Sequence, residues 1–115
     1  MRRGEIRLVD FEPVRADEAN KRRPAIIVSN DGANATAARW GKGVVTVVPI
    51  TSSTAKVYPF QVLLPPEVTG LRRESKAQSE QVRSVAFSRI GVKIGEVSGA
   101  LLEELDESLR LHLAL

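Results

Sequence analysis

Residues 19–31 read ANKRRPAIIVSND, and in them three bases, Lys21, Arg22 and Arg23, run directly into Pro24. After the proline come four apolar residues, Ala25 to Val28, and a polar stop, Ser29-Asn30-Asp31. A cationic cluster on the lip of a strand either solvates a loop edge or holds an anion. Other reactive groups are scarce. His112 is the single histidine and lies near the C-terminus, where a helix end accounts for it. A pair of histidines working as acid and base is therefore excluded. There is no H-E-x-x-H, no Gly-rich phosphate loop and no G-x-S-x-G. Carboxylates are scattered, without the tight pairing of a two-metal centre. The chain has no cysteine, hence no thiolate zinc site and no disulfide framework. Neither a metal nor a cofactor is expected.

What remains is arginine with hydroxyls. Arg23 leads into one apolar run and Thr51 closes another, in PITSS. If these two strands pair, their ends meet on one rim. Gln81 and Arg83, in a later strand, can complete it. A guanidinium and a hydroxyl suit cleavage of an RNA phosphodiester by its own 2′-oxygen. The substrate supplies the nucleophile, so no water has to be activated. Charge builds on the non-bridging oxygens, which a planar bidentate donor matches, and a hydroxyl adds a short hydrogen bond. Composition alone leaves the plain readings open: Arg23 as a surface base, Thr51 as an ordinary strand end, Gln81 as an exposed strand residue.

The elements that must position these residues are mostly strands. Residues 4–11 alternate at Ile6, Leu8 and Asp10, a half-buried first strand ended by Pro13. Residues 12–22 are polar and aperiodic, a loop longer than a hairpin needs. Pro24 opens a second strand over 24–29, apolar as far as Val28 and so central or covered on both faces. Residues 32–39 are alanine-rich, a short helix or turn. Residues 44–51 form a third strand, with Pro49 marking an edge or a bulge. A fourth runs from Tyr58 to Leu64, stopped by Pro65-Pro66. Residues 68–71 read as a hairpin connection; the composition of 74–86 would also suit a helix, but alternation at Ala77, Ser79, Gln81 and Arg83 favours a bent strand. Residues 90–97 continue irregularly. After Ser98, a good N-cap, Leu101, Leu105, Leu109 and Leu113 recur every four residues on an amphipathic helix with an acidic outer face. Short strands with one terminal helix predict a small, bent antiparallel barrel.

A length of 115 residues fits one domain, spanning 1–115. With 43% hydrophobic and 27% charged residues, the composition is that of a folded soluble protein. No apolar run reaches a membrane span and the N-terminus lacks an apolar signal core, so a cytoplasmic protein without a membrane role is expected. A net charge of +3 permits a polyanionic partner without requiring one. The bases gather at 21–23 and 72–73, the acids in the tail at Glu103, Glu104, Asp106 and Glu107.

The order of motifs resembles the MazF/PemK family of toxin endoribonucleases. RRGEIRLVDFEPVRADEANKRRPAIIVSND is similar to the family's opening: an R-G-[ED]-[IV] strand, an acid-and-proline turn, a variable loop, then R-P and an apolar strand ending in N-D. VVTVVPITSSTAKVYPFQVLL resembles the next block, KAQSEQVRSVAFSRI the E-Q-[IV]-[RK]-[ST] block, and the ELDESLRLHLAL ending also fits. Nearly the whole chain is covered. The resemblance implies Arg23 and Thr51 as catalytic residues, Gln81 and Arg83 in the RNA groove, and a base-contacting loop with Asp17, Glu18, Asn20, Lys21 and Arg22. Many members have Gly-Ser-Glu where this chain has Ala16-Asp17-Glu18, which bears on the cleaved sequence rather than the activity. Asn20 and Lys21 stand where loop glycines often follow.

The resemblance further implies an SH3-like barrel, a homodimer, no metal, and cleavage of single-stranded mRNA, tRNA or rRNA to 2′,3′-cyclic phosphate and 5′-hydroxyl ends. A small acidic antitoxin would be the protein partner. Two other readings keep RNA intact: a gyrase-poisoning toxin of the CcdB type, since fold does not fix function, and a non-catalytic RNA-binding barrel stacking bases on Trp40, Tyr58 and Phe60.

Overall fold

The computed structural model describes residues 1–11 and 22–115. Seven strands, β1 (Glu5–Asp10), β2 (Arg22–Ile27), β3 (Val44–Thr51), β4 (Gln61–Leu64), β5 (Ser75–Gln78), β6 (Arg83–Ala86) and β7 (Ile90–Glu96), pair antiparallel. Helices α1 (Asp31–Trp40), α2 (Pro66–Thr69) and α3 (Gly99–Leu113) lie between and after them. The strand order is β4-β5-β3-β2-β1-β7, with β6 also on β3. The expected bent antiparallel sheet is there, but among the described residues no ladder joins β4 to β7, so the barrel is left open.

β2 is central, as its unbroken apolar run requires. Ile26 packs with Ile6, Val48 and Leu105 on one face, and Ala25 and Ile27 pack with Val9, Val45 and Val47 on the other. The strand starts at Arg22, two residues before the expected Pro24, because Asp10 and Val9 of β1 extend the ladder to Arg22 and Arg23. β1 is covered on both faces rather than half-buried: Ile6 and Val9 are both fully buried on opposite sides of the pleat.

β3 has its expected bounds, and Pro49 lies at a gap in its pairing on one side. It sits where β3 changes partner: Val44–Val47 pair with β6, and Ile50 and Thr51 pair with β5. A residue with no N–H to donate suits the break. The 74–86 stretch is accordingly two strands joined by a 3₁₀ turn, Ser79–Gln81. That turn is pinned from outside: the buried Ser79 and Ser108 hydroxyls are 2.6 Å apart, and Gln61 Nε2 donates to Glu80 at 2.7 Å.

α1 is capped by Asn30, whose side chain accepts from the Ala33 N–H at 2.8 Å. The expected hairpin connection at 68–71 is instead α2, with Pro66 at its start and Gly70 in the left-handed region at φ +82° after its end. β4 starts at Gln61 rather than Tyr58, since Tyr58–Phe60 form a turn closed by Gln61 N–H on the Tyr58 carbonyl. In α3 the leucine stripe packs as expected at Leu101, Leu105 and Leu109, whereas Leu113 is 48% exposed past the sheet edge. Ser98 is the N-cap residue of α3, but its side chain makes no capping bond.

Candidate active site

Antiparallel pairing brings the beginning of β2 to the end of β3. The register sets Ala25 against Pro49 and Ile26 against Val48. The ladder stops there, and Arg23 and Thr51 lie two residues further along β2 and β3. Both border one cleft of about 1220 Å³, larger than the ~300–1,000 Å³ of a small-molecule pocket. Leu8, Pro24, Leu71 and Ile94 give it apolar walls. Gln81 reaches it from the 3₁₀ turn rather than from a strand, and Arg83 from the first position of β6.

Arg23 follows the extended path that a residue before proline favours, in register with Val9. Its side chain has no carboxylate partner among the described residues. The Thr51 Oγ1 accepts a hydrogen bond from the Ser53 N–H at 3.2 Å. An oxygen held as acceptor keeps its own hydrogen to donate into the cleft. The Arg83 guanidinium lies 5.2 Å from the Phe11 ring centroid, a cation–π contact that steers it.

Charge in the cleft is one-sided. Arg23, Arg72, Arg73 and Arg83 line it, and no Asp or Glu is among the described lining residues. The neighbouring acids are engaged elsewhere. Asp10 lies 3.9 Å from Arg89 Nη1, and Arg89 also donates to the Asp10 carbonyl. Glu80 accepts from Gln61. Among the described residues no three His, Cys, Asp or Glu side chains gather to hold a metal.

Arg22 is placed differently from its neighbour. It belongs to β2, opposite Asp10, and is not among the residues lining the cleft. Its guanidinium lies beside Gly91, where a Cβ would meet Arg22 Nη1 at 3.1 Å. Asp17, Glu18, Asn20 and Lys21 lie outside the described residues. Trp40, Tyr58 and Phe60 do not line the cleft. Tyr58 and Phe60 stack on each other at 5.4 Å, and Trp40 is exposed beside Arg39 at the end of α1. Sequence reasoning noticed the bases at 72–73 without placing them; their signal, two arginines after an α2-ending glycine, is weak without the fold.

Taken together, a small open antiparallel sheet carries a cleft lined by four arginines and a threonine hydroxyl, suited by its charge to a polyanion. Residues 2–113 match the family of PemK-like, MazF-like toxins of type II toxin–antitoxin systems, and the chain belongs to that family. It is 62% identical over 115 residues to the endoribonuclease MazF9 of Mycobacterium tuberculosis, covering all of this chain and 98% of that one. A MazE–MazF structure from Deinococcus radiodurans superposes with a TM-score of 0.78 at 27% identity, over all of this chain and 96% of that one. A mycobacterial endoribonuclease solved in complex with its cognate antitoxin has the same fold, with a TM-score of 0.77 at 23% identity over 100% and 96% of the two chains.

Proposed function

We propose that this MazF-type toxin is an endoribonuclease that cuts single-stranded RNA at selected short sequences by transesterification, without a metal. The observation that carries this reading is that Arg23, near the start of β2, and Thr51, at the end of β3, line the same arginine-rich cleft. The 2′-oxygen attacks the adjacent phosphorus and loses its proton. The P–O5′ bond breaks and the 5′-oxygen takes up a proton, giving a 2′,3′-cyclic phosphate and a 5′-hydroxyl. Arg23 stabilises the non-bridging oxygens as charge builds on them. A guanidinium with a pKa above ~12 is a poor base at neutral pH, so its role is electrostatic. Thr51 donates to a phosphoryl oxygen. Gln81 and Arg83 hold the strand on either side, and the loop with Asp17, Glu18, Asn20 and Lys21 selects bases.

A small acidic antitoxin would silence the enzyme by occupying the same positive cleft. The working unit is a homodimer, acting on mRNA, tRNA or rRNA in the cytoplasm.

The test is direct. Purified protein is incubated with a long mixed-sequence RNA in EDTA, and new 5′-hydroxyl ends are mapped. Recurrent ends at one short motif are expected, and a 2′-deoxy substitution at the cleaved step should stop cleavage while leaving binding intact. Cleavage that vanishes in EDTA and returns with Mg²⁺, or that ignores the deoxy substitution, would overturn the mechanism.

A further inference from the structure

Two arginines in the cleft have no part in the chemistry above. Arg72 and Arg73 line it from the segment between α2 and β5. Both are exposed, and neither guanidinium has a hydrogen-bond or ion-pair partner among the described residues. Unpaired arginines on a surface are ordinary when their backbone is loose. Here the backbone is tied at both ends.

On the N-terminal side, Gly70 takes φ +82° and its N–H donates to the Pro66 carbonyl at 3.0 Å. Thr69 is buried; its Oγ1 donates to the Pro65 carbonyl at 2.9 Å and accepts from the Leu71 N–H at 3.3 Å. β7 presses against this turn so closely that a Cβ on Gly95 would come within 2.3 Å of the Thr69 carbonyl oxygen. Leu71 packs on the core. On the C-terminal side, Ser75 Oγ donates to the Arg73 carbonyl at 3.1 Å. A fixed backbone thus presents two long, unpaired cations to a cleft whose described lining holds no carboxylate.

We infer that Arg72 and Arg73 form a second phosphate-binding subsite, taking a phosphate next to the one held at Arg23 and Thr51 and so setting the register of the RNA strand in the cleft. The inference rests on the endoribonuclease reading for its ligand and deepens it. Two anchored phosphates fix both position and direction of a strand, which one cannot do. A guanidinium fork fits a phosphate in two-point fashion. These are positioning residues: they act on binding, and the reacting phosphate remains with Arg23 and Thr51.

The experiment uses the full chain and an all-deoxy single-stranded oligonucleotide, which has the phosphates but no 2′-nucleophile. Its affinity is measured by fluorescence anisotropy over a salt series for wild type, Arg72→Gln/Arg73→Gln, and Arg39→Gln/Lys42→Gln. The last pair removes the same charge from exposed positions outside the cleft. Circular dichroism checks each fold. Single-turnover cleavage of RNA is measured in parallel.

The Arg72/Arg73 variant should lose about ten- to a hundredfold in affinity, with a salt slope shallower by about 1–2. The Arg39/Lys42 control should stay within about threefold, as expected for screened remote charge. At saturating RNA the variant's cleavage rate should fall by a smaller factor than its affinity, because the lost contacts position the strand rather than stabilise the transition state. Equal losses in both double variants, or an unchanged salt slope, would overturn the subsite and leave the endoribonuclease reading standing. A wild type that cuts no RNA, yet loses affinity only when Arg72 and Arg73 are changed, would overturn the cleavage reading and keep the subsite.

Discussion

Arg23 and Arg22 are chemically identical neighbours with different prospects. Alternation along β2 sends one to the cleft and the other toward Gly91. Arg23→Ala should therefore lose about 2–4 kcal/mol of transition-state stabilisation, the scale of one preorganised donor. Arg23→Lys should recover little of it, since a point charge cannot reproduce the fork. Arg22→Ala should cost little beyond a screened, salt-dependent loss in RNA affinity. Single-turnover rates at saturating RNA decide between them, and a dead Arg22→Ala would reassign the catalytic arginine. At Thr51 the hydroxyl is what matters: Thr51→Ser should keep most activity, and Thr51→Val should lose roughly a hundredfold or more, the lower range for a removed oxyanion donor.

At the scale of elements, α3 and the start of β1 carry separate, testable shares of stability. Leu105 is fully buried between α3 and the sheet. Leu105→Ala should cost about 2–5 kcal/mol, read from urea denaturation. In β1, Glu5 accepts two hydrogen bonds from Arg7, at 2.9 and 2.7 Å. Burial pushes the Glu5 carboxyl pKa up, but the Arg7 hydrogen bond and charge, with the N-terminal amine and Lys93, outweigh it and hold it below the ordinary 4.5. A depressed folded-state pKa means the contribution is present above about pH 4.5 and is lost as pH falls through the lower folded value. The gap in urea midpoint between wild type and Glu5→Gln should accordingly shrink below that pH.

The elements also show what the sequence could reveal. β3 was legible to the residue because Val44–Thr51 is β-branched and bounded by turn residues. β2 was legible as a covered strand because its apolar run, Ala25 to Val28, is unbroken. That Arg23 and Thr51 share one rim followed from one assumption, that these two strands pair. The 3₁₀ turn at Ser79–Gln81 was not legible: it is held by Ser108, 29 residues away, and by Gln61. Local composition carries no trace of such partners. The short α2 escaped for a related reason, since four residues hold less than two turns of periodicity.

For the whole molecule, several apolar side chains are open to solvent, among them Val44 at 64% exposed, Val92 at 61% and Leu111 at 58%. A two-fold interface is the common way to cover such surface. Light scattering at micromolar concentration should give twice the 12.6 kDa chain mass. No helix among the described residues is long and apolar enough to cross a membrane. An acidic antitoxin segment should compete with RNA for the cleft, and the competition should weaken as salt rises; inhibition by such a segment that leaves RNA binding unaltered would place it elsewhere.

The walls of the cleft come from both ends of the chain: Leu8 precedes β2, while Ile94 belongs to β7, which pairs back onto β1. A ribosome emits these parts in order, at ~5–20 residues per second. Until β7 has left the exit tunnel, β1 has only one of its two neighbours, and the wall that Gly95 holds against Thr69 is missing. A half-made chain can therefore contain Arg23 and Thr51 and still lack one wall of the cleft. The β1–β7 ladder joins residues some ninety positions apart, Glu5 to Glu96 at its far end, and so ties completion of the cleft to completion of the chain.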